Sequence, residues 1–261
     1  MSGLWRGQPQ IVINTNASWI RYVPFWILER LLMVCGRSKK EVQPLVPVLR
    51  FNTVLNDAAR QHYRPITDIL FAVMPQMMER KIPAANVQQS FMLAAVLAIT
   101  PQLPSARMLC VGSYEDTAYE TLLRMGYCVE GLDPNVDGRD LDAYIKENPS
   151  ALGTFDTVFS TSVIEHVPND NAFVQDISRL LRPGGCAVLT CDYRNAWQPG
   201  EPLPPTDKRF YRLSDLQERL ISQMNSVEFV DEPDWERHEP DFEYGGCLYS
   251  FASFVVRKKI G

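Results

Sequence analysis

Of the 261 residues only three are histidine (His62, His166, His238) and six are cysteine. Neither set has the spacing of a metal site or a disulfide framework. Cys35, Cys110, Cys128, Cys186, Cys191 and Cys247 form no C-x-x-C pair and lie mostly inside apolar runs, where a thiol behaves as a small hydrophobe. No metal and buried free thiols are expected, and free thiols point to a reducing, cytoplasmic compartment. A long hydrophobic run is also missing. Phe91 to Ile99 is short, and Val23 to Gly36 is broken by Glu29 and Arg30, whereas a bilayer span takes about 20 apolar residues. No charged segment followed by an apolar run and a small-residue cleavage site opens the chain. The expectation is a soluble protein with neither a secretory leader nor a transmembrane segment.

Charge is unevenly divided. Residues 1–105 carry 11 Lys and Arg against 5 Asp and Glu, and the remainder carries 15 against 26. A basic helical segment packed on an acidic domain accounts for this, and a basic surface meeting an anionic substrate or lipid headgroup is the alternative. The acidic part holds no basic patch with interleaved aromatics, which argues against nucleic acid as a partner.

What is present divides near Pro104. Up to Thr100 apolar residues recur at three and four positions, as in Ile27, Leu28, Leu31, Leu32 and in Ile69, Leu70, Val73, Met77. Prolines cut this pattern into short helices, giving a helical segment over 1–104 with a role in capping, acceptor binding or oligomerisation. Over 105–261 strands alternate with helices. Strands are expected at Arg107 to Val111, Tyr127 to Leu132, Phe155 to Ser160 and Cys186 to Cys191, with helices at Thr117 to Met125 and Asp170 to Leu181. This βαβ alternation specifies an α/β, doubly wound, mostly parallel sheet. Val227 to Val230 and Leu248 to Val256 close it. Ser214 and Gln217 have capping-box spacing for a late helix. The proline-rich stretch Asp192 to Arg212 is long for a connection, which marks it as a functional loop.

In such a sheet a nucleotide-bearing ligand sits at the carboxyl ends of the strands, where glycine admits the backbone and a helix N-terminus faces the ligand. Gly112 ends the first strand, and Asp133 ends the second 21 residues later, a spacing suited to accepting hydrogen bonds from ribose hydroxyls. Many nucleotide folds share that pair. A nicotinamide-dependent oxidoreductase would normally add G-x-G-x-x-G, and Tyr114 interrupts it.

The segments MLCVGSYED, VEGLDP, FDTVFSTSVIEHVPND and LLRPGGCAVLT, in this order, resemble the class I S-adenosylmethionine-dependent methyltransferases of the type 11 kind over roughly residues 106 to 256. The resemblance implies a Rossmann-like, seven-stranded sheet with an antiparallel last strand, and S-adenosylmethionine as cofactor. It implies that Gly112, Ser113, Tyr114 and Glu115 line the cofactor loop, that Asp133 and Pro134 meet the ribose, and that Asp140 and Leu141 meet the adenine. Ser160 and Thr161 would line the methionine side. Asp140 also fits a helix N-cap, and the two roles can coexist. Tyr114 and Asp116 stand where the family usually has glycine, and Cys110 where it often has an acid, so Glu115 or Asp116 is left to meet the methionyl ammonium.

The sulfonium is an activated donor, so alignment is the main demand, with a base beside an acceptor hydroxyl. Asp192 ranks first as that base, His166 second and His238 last. The expected reaction is O-methylation of a small molecule or a glycan in polysaccharide or natural-product biosynthesis, with Tyr193, Trp197, Phe210 and Tyr211 offering stacking faces. Methylation of nitrogen or carbon in a small metabolite is the alternative within the class, and a non-catalytic Rossmann-like module lies outside it. The reading leaves room for a homodimer.

Overall fold

The computed structural model describes residues 46–100, 105–236 and 239–261, so the pattern at Ile27 to Leu32 and the candidate base His238 lie outside the described residues. Seven strands, β1 (Met108–Val111), β2 (Val129–Leu132), β3 (Phe155–Thr161), β4 (Leu181–Tyr193), β5 (Val227–Phe229), β6 (Phe242–Tyr244) and β7 (Cys247–Lys258), form a sheet of order β2-β1-β3-β4-β7-β5, with β6 paired to β7. β1 to β4 run parallel, and β7 runs antiparallel to β4, β5 and β6. The fold is therefore the expected Rossmann-like α/β sheet with an antiparallel last strand. The chain enters at β1, steps to β2 on one side and then to β3 on the other. The helices that follow β1 and β3 lie on opposite faces of the sheet, which leaves a crevice at the strand ends between them.

Parallel strands are buried on both faces and need two helical covers. Met108 and Cys110 of β1 belong to one core with Phe159, Val188 and Val255, while Leu109 and Val111 belong to the other with Val158, Leu189 and Val256. The second core is covered by the Leu141–Glu147 and Asp170–Leu180 helices. The first is covered largely by residues that precede the sheet. The Asn86–Ile99 helix is buried from Asn86 to Leu97 and lies between the sheet and the Arg64–Val73 helix. A helix enclosed on all sides has no polar stripe to show, which is why its run of apolar residues lacks a clear period.

Three sequence details come out differently. β4 begins at Leu181 rather than after Gly185, because the Pro183-Gly184-Gly185 turn is absorbed into the strand. A Cβ on Gly185 would meet the Phe155 carbonyl oxygen at 2.8 Å, so only glycine allows that approach. The Ser214 capping box does not form, since Ser214 already has helical dihedrals (φ −63°, ψ −31°) and makes no side-chain cap. Asp215 reaches back instead, its Oδ2 accepting from the Arg212 N–H at 3.0 Å, and the helix, already formed at Leu213 and Ser214, continues as a π turn over Asp215–Leu220. Finally, β6 pairs with β7 through a Gly245-Gly246 turn that sequence reading passed over.

The chain ahead of the helices is tied to β7. Asn52 Oδ1 accepts from the Val255 N–H at 2.7 Å, and Asn52 Nδ2 donates to the Val255 carbonyl at 3.0 Å and to Asp231 Oδ1 at 2.8 Å. Asn52 is fully buried. Removing its amide strands two backbone groups, each at about 1–3 kcal/mol. Asn52→Ala should therefore lower the unfolding free energy by about 2–4 kcal/mol in urea titrations.

Candidate functional site

The crevice is a cavity of about 850 Å³ at the carboxyl ends of β1, β2 and β3. Gly112 ends β1 at φ +89°, and a Cβ there would lie 2.3 Å from Val163 Cγ2, so the loops after β1 and β3 touch at a point with no room for a side chain. Asp116 ends the loop as N-cap of the Thr117–Arg124 helix, its Oδ1 accepting from the Tyr119 N–H at 2.7 Å. Glu115 takes a left-handed φ of +55° and pairs with Arg80 Nε at 2.8 Å. Tyr114 is exposed at the mouth.

Asp133 is buried at the end of β2. Its Oδ2 accepts from the Tyr114 N–H at 3.1 Å and its Oδ1 from the Asn135 N–H at 2.7 Å. Two backbone donors orient the carboxylate, and each oxygen keeps a lone pair for a ligand hydroxyl. Asp140 is an N-cap, accepting from the Ala143 N–H at 2.8 Å, and it lines the cavity as well.

Of the sequence-derived residues, Gly112, Tyr114, Glu115, Asp133, Pro134, Asp140, Leu141, Thr161 and His166 line the cavity. Ser113 and Ser160 do not: Ser160 donates to the Val111 carbonyl at 2.7 Å, fastening β3 to β1, and Ser113 lies beside Gly131. Asp192 is off the wall too, buried behind it. The loop after it is packed rather than open. Tyr193, Trp197, Phe210 and Tyr211 are buried, and Tyr211 is pinned to Asp170, which Arg209 and Arg219 also grip. These rings belong to the core.

Two cavity residues come from the first part of the chain. Gln89 Oε1 accepts from the Thr117 N–H (3.0 Å), the Thr117 hydroxyl (3.0 Å) and the Ala118 N–H (3.1 Å), thereby satisfying the first turn beside the loop. Lys81 reaches the same end of the cavity. Burial pushes its pKa down, while Asp116 and Glu115 draw it back up. Burial raises the carboxyl pKa of Asp116 in turn, against the opposing Tyr119 N–H and Lys81. The signal for Gln89 was a polar pair, Gln88-Gln89, entering an apolar helix; Lys81 carried none.

Behind the wall lies a second polar group. His166 Nδ1 is 3.1 Å from Asp207 Oδ1, and the Asp207 side chain is only 3% exposed against 41% for His166. Ser162, another wall residue, donates to Glu165 Oε1 at 2.6 Å. Glu165 and Asp192 are both pushed above the usual carboxylate range, first by burial, and Asp192 further by Glu165 and Asp207. His166 is raised above the ordinary imidazole value, chiefly by its bond to Asp207, with burial opposing. Nothing in the sequence marked Asp207.

Folding thus raises the His166 pKa. The stabilisation this brings is complete below the unfolded-state pKa and disappears as pH rises through the folded-state pKa. Asp207→Asn should lower the His166 pKa in a histidine NMR titration, which is simple to assign with three histidines in the chain. An unmoved His166 signal would show that the pair does not form in solution.

Residues 117–189 match the family model described as "Methyltransferase domain". The ubiquinone biosynthesis O-methyltransferase of Paramagnetospirillum magneticum is 37% identical over 35% of this chain and 49% of its own length. That of Paracidovorax citrulli is 29% identical over 36% of this chain and 47% of its own. The chain spans about half the length of these curated relatives. Among solved structures, the Burkholderia thailandensis 1,6-didemethyltoxoflavin-N1-methyltransferase aligns over 78% of this chain and 88% of its own, at 15% identity and a TM-score of 0.47.

Proposed function

We propose that this chain is a class I S-adenosylmethionine-dependent methyltransferase and that it transfers a methyl group from S-adenosylmethionine to a hydroxyl of a small molecule or glycan, with His166 as the base. The observation that carries the reading is a single cavity shared by Gly112, Asp133 and His166. The residues suit the cofactor. Gly112 leaves space where any Cβ would close the crevice, Asp133 retains acceptor capacity for a ribose diol, and Asp116 with Lys81 opposes a carboxylate to an ammonium at the far end, matching an amino-acid moiety of opposite polarity.

When bound, the cofactor supplies an activated methyl group on a sulfonium. The protein's task is to place and deprotonate the acceptor. Neutral His166 donates its Nδ1–H to Asp207, which fixes the tautomer and leaves the Nε2 lone pair to take the acceptor proton. Asp192 is unsuited to that part, being buried off the wall and inclined to hold its own proton. With His166 as base, turnover rises with pH through the raised His166 pKa and levels off above it. The packed loop from Arg194 to Arg212 then acts through Asp207, which it delivers to His166. The helices before Pro104 would complete the acceptor side. A cytoplasmic site of action and a homodimer also belong to the proposal.

Calorimetry with S-adenosylhomocysteine and with NAD tests the cofactor. Asp133→Ala should weaken S-adenosylhomocysteine binding by about 1.5–3 kcal/mol, the range for hydrogen bonds to a charged group. Unchanged affinity in the folded variant, or preferential binding of NAD by the wild type, overturns the assignment.

A further inference from the structure

His166 and Asp207 come from different loops, and the loop that brings Asp207 is strained where it arrives. The Asp207 N–H donates to the Pro204 carbonyl at 3.2 Å, closing a four-residue turn with Pro205 second and Thr206 third. Thr206 has φ +80°, the left-handed conformation that a turn with proline second reserves for glycine, and a β-branched residue there is a genuine outlier. Such strain persists only where the surroundings hold it, and it gathers at functional sites. On one side the holder is the β6–β7 turn, where a Cβ on Gly245 would come 3.1 Å from Pro205 Cδ. On the other side it is the loop after β3. The Lys208 N–H donates to the Glu165 carbonyl at 2.9 Å. Arg209 Nη2 donates to the carbonyls of Val167 at 3.2 Å and Pro168 at 3.0 Å, while its Nη1 pairs with Asp170 Oδ2 at 2.7 Å. One guanidinium, two residues after Asp207, thus spans the whole turn between His166 and the Asp170–Leu180 helix.

We propose that Arg209 is a positioning residue for the His166–Asp207 pair, clamping the strained corner that bears Asp207 onto the loop that bears His166, an inference that rests on the reading of His166 as the base. A planar fork with fixed donors engages two carbonyls and a carboxylate together, which a single ammonium on a flexible stem does not. Arg209 acts only through Asp207. Thr206 Oγ1 lies 3.5 Å from the same His166 nitrogen that Asp207 approaches at 3.1 Å, so a small slip of the corner exchanges a carboxylate partner for a hydroxyl. That exchange lowers the imidazole pKa, because a neutral hydroxyl stabilises the protonated ring less than a carboxylate does. The charge of Arg209 works in the opposite sense, since taking a cation away from an imidazole by itself raises its pKa. The sign of the shift therefore separates positioning from charge. Glu165, the other acid facing His166, is held independently by the Ser162 hydroxyl. Asp170 keeps Arg219 and the Tyr211 hydroxyl, each at 3.0 Å, when Arg209 is replaced, so no buried charge is stranded.

The test follows the His166 pKa by NMR in the full chain, in Arg209→Met, in Asp207→Asn and in the double variant, with S-adenosylhomocysteine affinity measured alongside by calorimetry. Arg209→Met should lower the His166 pKa, in the same direction as Asp207→Asn. The double variant should match Asp207→Asn with no further shift, because two residues that act through one contact are not additive. S-adenosylhomocysteine affinity should be unchanged, as Arg209 is not among the residues lining the cavity. A His166 pKa that rises or stays in place in Arg209→Met overturns the proposal, as does a further shift in the double variant or a loss of S-adenosylhomocysteine binding, which would mark general damage. If Asp207→Asn lowers the pKa and Arg209→Met does not, the clamp alone is refuted and the base reading stands. If neither variant moves His166, the pair is absent and both fall. Should Arg209→Met not fold, Arg209→Lys decides: it keeps the charge without the fork, so the pKa should again fall, and an unmoved signal overturns the proposal.

Discussion

A parallel strand leaves neither face to water, and this requirement shapes the rest of the molecule. β1 is covered on one side by helices that follow it in the chain and on the other by a helix that comes before it. The preceding helix is therefore bound to the sheet by the same burial that stabilises the strands. At about 25 cal/mol per Å² of apolar surface, uncovering such a face costs far more than any hydrogen bond in the site contributes. The helix then brings Gln89 under the cofactor loop, so a demand of packing becomes a feature of the site.

The site gathers acids and then limits their charge. Asp133 accepts from two backbone N–H groups, which fix its orientation. Glu165 accepts from the Ser162 hydroxyl and Asp192 from Tyr249, yet burial outweighs these donors and favours the neutral forms. Asp207 faces His166 on one side and Asp192 on the other. Which of the buried acids keeps its proton is thus decided by burial weighed against the donors around it.

How far this was legible in the sequence depended on whether a residue's environment came from its own segment. Gly112, Asp133 and Asp140 close strands or open helices, and turn geometry and capping are local, so their positions could be read directly. Asp192 follows the expected strand Cys186 to Cys191 and was placed at its carboxyl end, but β4 continues to Tyr193, paired with β7 and bonded to the Trp235 carbonyl, which keeps Asp192 inside. Asp207 and Lys81 were invisible because their partners, His166 and Asp116, lie 41 and 35 residues away. The rings of the loop after Asp192 looked like stacking faces for want of any local sign that Arg209 and Arg219 would fold them inward.

Gln89 spends one carbonyl oxygen on three donors at the start of the Thr117–Arg124 helix. That turn follows Asp116, which lines the cavity, and its hydrogen bonding is completed by an amide from a helix that precedes the whole sheet. The turn and that helix are consequently one unit. Exchanging the helix would leave the Thr117 and Ala118 donors without their oxygen, so the first part of the chain and the loop after β1 can change only together.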